Sequence, residues 1–319
     1  MKSSSWPRRG VLVLLVAALA GACGDDGPPA PAIDATPDAH EDPWFTPTPG
    51  EAKNWDIQLA APFDVSTARA MYILDLWDVT TAQTITYADS STVSVPAGPL
   101  AGKIADIHAA GGVVICHVET GAIALDDPDA MKFPGFAANP PDDPMAPAAG
   151  SVIGWSIGGD ANLRSLDIRV ASQPMIQPLI DKRIELAKTI GCDGVTGEHN
   201  DRVGSTSGFT ITGDDVVAWY KAIATATHAR ELSAGMWDGN LFTPGLVADY
   251  DWMLIERCAE FGDCDTSRSF TMADKAVFAL DYDGGVTLDL ACLKWPMAQI
   301  GDGLLKDRPP TASFRMSCP

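Results

Sequence analysis

One unit recurs along most of the chain: a short apolar run, a polar loop, then an amphipathic stretch. The apolar runs are WDIQL from Trp55, MYILDLWD from Met71, GVVICHVE from Gly112, LRSLDI from Leu163, CDGVTGEH from Cys192, LSAGMWD from Leu232, DWMLIER from Asp251 and KAVFALDY from Lys275. Runs this short, bounded by turn residues, read as buried strands. Between them, Leu100, Ile104 and Ile107 precede a stop at Gly111, and Ile176, Leu179, Ile180, Ile184 and Ala187 keep helical spacing. Val216, Val217, Tyr220 and Ile223 follow Thr212 and Asp215, an N-terminal capping pair. Eight strands alternating with helices over about 265 residues predict an α/β fold, a single-domain (β/α)8 TIM barrel. An open doubly wound sheet would place a glycine-rich phosphate loop after its first strand, and Gln58-Leu59-Ala60-Ala61-Pro62 is not one.

The ends of the chain carry different information. Lys2, Arg8 and Arg9 precede an apolar run from Val11 to Ala22, and the small residues Ala20, Gly21 and Ala22 lead into Cys23. This layout predicts a lipoprotein signal peptide over residues 1–22 with lipidation at Cys23. The run is too short to span a bilayer as a folded helix, so the membrane is expected as a partner only through this anchor. The protein is expected to be exported and tethered to the bacterial cell envelope, or simply secreted if Cys23 stays unmodified. Residues 23–52, rich in Pro, Asp and Ala, show no helical or strand period and read as a disordered tether; residues 53–319 read as the barrel. A formal net charge of -20 argues against nucleic acid as a partner. A monomer is expected.

Six cysteines follow Cys23 in a compartment that permits disulfides. Cys258 and Cys264 are close in sequence, and Cys292 and Cys318 share the last segment, so these four are the candidates for bridges. Cys116 and Cys192 lie in apolar strand-like runs and read as buried thiols. No CxxC or HExxH spacing occurs, so no metal and no cofactor is expected.

In such a barrel the chemistry forms at the carboxyl ends of the strands. The residues closing the apolar runs there are mostly acidic: Asp75, Asp78, Glu119, Asp167, Glu198, Asp238, Glu256 and Asp281. Converging carboxylates repel and raise one another's pKa, so the ring points to acid/base chemistry, a metal or a cationic ligand. Trp77, Trp155, Trp237 and Tyr282 are candidate stacking platforms for sugar faces. The segment from Thr120 to Asn162 is too proline-rich for a regular helix and reads as an active-site loop.

Eight segments in order, NWDIQL, YILDLWD, GGVVICHVETGA, LRSLDIR, GCDGVTGEHND, LSAGM, IERCAEFGDCD and KAVFALDY, resemble the glycoside-hydrolase family 114 barrels, the endo-α-1,4-polygalactosaminidases. The resemblance covers residues 53–300 and implies cleavage of α-1,4 linkages in a cationic, galactosamine-containing polysaccharide by two carboxylates. It nominates Glu198 in GEH as nucleophile or base and Glu256 in IERC as general acid/base. Asp75, Asp78 and Asp167 match acidic positions lining the family's cleft and are expected to contact substrate amine and hydroxyl groups. His117, Glu119, Trp237, Asp238, Asp281 and Tyr282 complete the expected substrate site.

The sequence also departs from the family pattern. Glu198 stands where Asp is usual, moving its carboxylate outward by about 1.5 Å. Thr196, Gly197 and His199 replace the usual acid, Pro and Asn, His117 and Glu119 stand where Tyr and Ser are common, and Trp237 and Asp238 where Lys and Asn are frequent. The alternative expectation is therefore a non-catalytic carbohydrate-binding lipoprotein that keeps the barrel but has lost productive carboxyl geometry.

Overall fold

Eight parallel strands form the predicted barrel: β1 (Trp55–Gln58), β2 (Met71–Asp75), β3 (Val113–Glu119), β4 (Gly194–Glu198), β5 (Ser233–Trp237), β6 (Trp252–Glu256), β7 (Val277–Tyr282) and β8 (Asp302–Lys306). They neighbour one another in chain order, and a short β9 (Arg315–Ser317) pairs antiparallel to β8. The computed structural model describes residues 42–50, 54–137 and 146–319. The expected signal peptide and Cys23 lie outside them.

Period-two alternation builds two cores from these strands. The inward side chains Trp55, Ile57, Met71, Ile73, Ile115, Trp252, Leu254, Phe278, Leu280 and Leu304 fill the barrel as one buried cluster. Gly235 leaves room there for the Trp252 indole, which a Cβ would meet at 2.2 Å. Outward side chains such as Leu74, Val114, Val195, Met236, Ile255 and Ala279 pack against the helices. The three anticipated helices are present as α1 (Lys103–Ala109), α2 (Gln173–Ile190) and α3 (Gly213–His228), joined by α4 (Leu288–Met297). Thr212 and Asp215 form the reciprocal capping box of α3.

The barrel is almost closed. β1 and β8 share no backbone ladder among the described residues; side chains join them instead. Trp55 Nε1 donates to the Asp302 carbonyl (3.2 Å), and the buried Lys306 ammonium donates to Asp56 (2.9 Å).

Four sequence expectations need correction. LRSLDI is not a barrel strand: it belongs to Asp160–Leu166, the centre of an antiparallel sheet with Ala122–Ala124 and Ile153–Ile157. The eighth barrel strand is DGLLK at 302–306, whose polar ends hid it from an apolar-run search. Two strands of that small sheet and the start of the third fall in the Thr120–Asn162 segment, which is therefore not a plain loop. Cys116 and Cys192 are not free thiols but a disulfide, because adjacent β3 and β4 bring their Cα atoms to 5.9 Å; Cys258–Cys264 and Cys292–Cys318 are also bridged.

The last correction concerns the tether. Residues 42–50 pack on the folded unit, which begins at Asp42: Trp44 stacks on His228 with ring centroids 4.4 Å apart, and Gly50 N–H donates to Asp302 (3.0 Å). Among the described residues no helix is long and apolar enough to cross a membrane.

Candidate active site

The alternation that fills the barrel also selects the side chains at its mouth. Continuing each inward register one step upward gives Asp75 on β2, His117 and Glu119 on β3, Glu198 on β4, Trp237 on β5, Glu256 on β6 and Tyr282 on β7. All seven line one cavity of about 580 Å³. The other acidic candidates, Asp78, Asp167, Asp238 and Asp281, are out of register or off the barrel, and none of these four lines it.

Asp281, one position before Tyr282, faces outward. It accepts N–H donors from Ala259 (3.2 Å), Glu260 (3.0 Å) and Trp295 Nε1 (2.9 Å), holding the turn after β6 instead of a substrate. Asp238, one past Trp237, is half-buried and accepts the Glu256 backbone N–H at 2.7 Å. Burial, reinforced by the Glu256 charge, pushes its carboxyl well above the usual range. Asp167 belongs to the small sheet's exit and is bound by Arg169 (2.6 Å) and Ser172 (2.6 Å). Asp78 sits in the helical turn after β2, where burial and then Asp75 push its pKa up to about 6. Trp155 does not line the cavity either; Trp77 does.

The centre of the cavity is a ladder of alternating acids and imidazoles. His117 Nδ1 lies 3.1 Å from Asp75 Oδ2, and its Nε2 lies 2.9 Å from Glu198 Oε2. His199, with φ of 63°, turns back so that Nδ1 meets Glu119 Oε2 at 2.7 Å while Nε2 stands 3.6 Å from Glu198 Oε1. A carboxylate only accepts, so a ring with a carboxylate at each nitrogen carries both protons. Burial opposes that charge on His117, but hydrogen bonds to Asp75 and Glu198 outweigh it and hold the pKa well above the ordinary imidazole value. His199 is likewise penalised by burial, yet Glu119 and Glu198 push it up to about 9. Burial alone would raise Glu119; the His199 charge reverses this and lowers it.

Glu256 has the opposite surroundings. Burial first, and then the charge of Glu198, push its carboxyl above the usual range. A hydrogen bond with the Tyr282 hydroxyl and the guanidinium of Arg308, 3.8 Å from Oε1, draw it partly back. Arg308 also lies over the Tyr282 ring, 5.1 Å from its centroid. Two carboxyls in one cavity, one facing imidazolium donors and the other desolvated, suit a base or nucleophile beside a general acid.

Several lining residues were missed in the sequence, among them Asp127, Asp160, Arg183 and Arg308. Arg183 is fully buried beneath the site, donating to Asp129 (2.6 Å), Asp127 (2.8 Å) and the Glu119 carbonyl (3.2 Å). Its position on the apolar face of α2, beside Ile180, Ile184 and Ala187, was a readable signal, since a buried charge demands a partner. Among the described residues, His117, Glu119 and Glu198 also offer three ligand atoms within 4.8 Å of one another. Each is already in a hydrogen-bonded pair, so a metal there would have to displace the imidazolium protons.

The model of glycoside-hydrolase family GH114 matches residues 34–308. The chain belongs to this family. As a GH114 member it is a glycosidase, and its fold agrees with solved relatives. Ega3 of Aspergillus fumigatus, solved in complex with galactosamine, superposes with a TM-score of 0.66 at 24% identity, covering 86% of this chain and 97% of that one. The glycoside hydrolase domain of PelA from Pseudomonas aeruginosa gives a TM-score of 0.50 at 12% identity, covering 83% of this GH114 chain and 97% of its own. No curated protein sequence matches the chain.

Proposed function

We propose that this glycosidase cleaves α-1,4 linkages inside a galactosamine-containing polysaccharide, with Glu256 as general acid/base and Glu198 as nucleophile or base. The observation that carries the reading is the pairing of unlike carboxyl environments in one cavity. Glu256, whose carboxyl is pushed above the usual range by burial and then by Glu198, is suited to protonate the leaving glycosidic oxygen. Glu198, bracketed by His117 and His199, is suited to attack the sugar or to activate water. Trp77, Trp237 and Tyr282 line the same space and supply ring faces for sugars.

Charge supports the polymer class. A net charge of -20 draws a polycationic, partly de-N-acetylated chain toward the protein. The N-terminal features support an exported protein, residues 1–22 acting as signal peptide and Cys23 as lipid anchor, so that a monomeric enzyme meets its polymer outside the cell. Incubation of the protein with partly de-N-acetylated α-1,4 galactosamine polymer tests the reading. Shortened oligosaccharides are the expected result; a polymer of unchanged length would contradict it.

A further inference from the structure

Lys306 is a buried cation at the place where β8 would supply a residue to the barrel mouth. Leu304 belongs to the inward cluster, and Lys306 follows two positions later in the same phase. Its side chain is nevertheless 0% exposed and does not line the cavity. The ammonium donates to Asp56 on β1 (2.9 Å) and to the Thr311 carbonyl (2.7 Å) instead. The backbone carbonyl of Lys306 accepts the N–H of Asp283, the residue after Tyr282, at 2.8 Å. A buried ammonium demands partners, so one cation ties β1, the end of β7 and the chain beyond β8 together.

The stretch closed by these contacts is the loop over residues 307–311. Thr311 N–H donates to Asp307 (2.8 Å), and the Pro310 carbonyl accepts from Leu59 (2.9 Å) and Ala60 (3.2 Å) on the loop after β1. Leu59, Arg308, Pro309 and Pro310 all line the cavity, so this loop is the wall that follows β8. Arg308 reaches Glu256 across 3.8 Å from a side chain 57% exposed, with its guanidinium over the Tyr282 ring. A long exposed side chain has much rotamer freedom, so where its charge rests depends on where its backbone is anchored.

We propose that Lys306 is a positioning residue for the glycosidase reaction: through Asp56 and Thr311 it fixes the 307–311 loop, and through that loop it sets Arg308 beside the Glu256 carboxyl. This inference rests on the glycosidase reading above. The charged and titratable groups acting on Glu256 are Glu198, His199, Asp238, Arg257, Tyr282 and Arg308. Of these, Arg308 is the one the loop carries. Its charge favours the Glu256 carboxylate, so freeing the loop lets Glu256 hold its proton to higher pH. A direct effect of the Lys306 charge on Glu256 would persist once Arg308 is removed; an effect through the loop would not.

The full chain, carrying carboxyl-labelled glutamate, is titrated by carbon NMR with Glu256→Gln assigning the Glu256 signal, and the alkaline limb of kcat on the galactosamine polymer is followed in parallel. Lys306→Met, which keeps the side-chain length but not the ammonium, is expected to move the Glu256 titration and the limb upward by about 0.5 unit, the shift expected for loss of Arg308 itself. Added to Arg308→Gln, the same substitution is expected to move them no further. Asp307→Ala releases the loop from its other end without leaving Asp56 unpaired, and it decides if Lys306→Met fails to fold. It is also expected to move both readouts upward, whereas loss of the Asp307 charge by itself would move them downward. An unmoved Glu256 in Arg308→Gln or in the folded loop variants, or a Lys306→Met shift that persists in full beside Arg308→Gln, overturns the inference and leaves the glycosidase reading intact. A polymer left uncut while Glu256 titrates as expected removes the glycosidase reading and overturns the part of Lys306 in a reaction.

Discussion

Glu198 Oε2 meets His117 Nε2 at 2.9 Å, and the other nitrogen of that ring is anchored by Asp75 at 3.1 Å. The side chain of His117 is only 5% exposed, so the contact is shielded from water and fixes where the Glu198 carboxylate points. Orientation on this scale decides rate, because a misplacement of about 1 Å can cost ~100-fold. Asp75→Asn is therefore expected to lower kcat by about tenfold or more with little change in folding, measured as turnover of the polymer beside a circular dichroism melt.

The acid/base assignment has a pH signature. A general acid works only while protonated, so activity falls as pH rises through the Glu256 pKa, which burial and Glu198 have raised. Arg308 opposes that rise from a side chain 57% exposed. Arg308→Gln should therefore move the alkaline limb of the kcat profile upward by about 0.5 unit, a small shift because water screens the pair. An unchanged or lowered limb would contradict the role of Arg308.

Stability has its own pH window. His199 is raised in the folded protein to about 9 from an ordinary value near 6.5. Its contribution is complete below about pH 6.5 and declines as pH climbs toward about 9, where the folded ring also loses its proton. Roughly 3 kcal/mol is expected to vanish across this interval. Urea unfolding at a series of pH values should show the slope in the wild type and a much flatter one in His199→Gln.

Arg183 makes the strongest structural demand. Its guanidinium is matched with Asp129 and Asp127, and both carboxylates are themselves shielded. Arg183→Met would leave them without their cation, at an expected cost of about 3–5 kcal/mol in denaturant unfolding. Because Arg183 also holds the Glu119 carbonyl, the surviving folded fraction should bind the polymer less tightly.

Neighbouring positions on β7 test the register argument. Asp281 faces out and ties the post-β6 turn, whereas Tyr282 faces in and hydrogen-bonds Glu256. Asp281→Asn should lower stability by about 1–3 kcal/mol yet leave turnover per folded molecule nearly unchanged. Tyr282→Phe should do the reverse, melting normally while turnover drops severalfold.

Much of the barrel was legible because buried strands leave continuous apolar runs; seven of the eight read from the sequence are barrel strands. DGLLK escaped because Asp302 and Lys306 occupy its ends, where the Asp302 carboxylate accepts from the Gly50 N–H and the Lys306 ammonium donates to Asp56, distant partners that no local pattern reveals. LRSLDI misled because a half-buried antiparallel strand and a short barrel strand look alike over six residues. The candidate site was legible as a set of strand ends but not as an orientation. A one-residue difference separates Tyr282 from Asp281 and Trp237 from Asp238, and only the phase of each strand's alternation sorts them. That phase could have been read from Phe278 and Leu280 below Tyr282. The Arg308 contact and the Cys116–Cys192 bridge depend on elements meeting in space, so spacing alone gave no sign of them.

The central claim is that Glu198 and Glu256 together perform the hydrolysis, and turnover of the partly de-N-acetylated galactosamine polymer by Glu198→Gln and Glu256→Gln tests it most directly, with thermal melts confirming that both variants fold. Each substitution is expected to reduce cleavage by about a thousandfold or more, as loss of a catalytic acid or base does when no neighbour can replace it. Full cleavage by either folded variant would contradict the account.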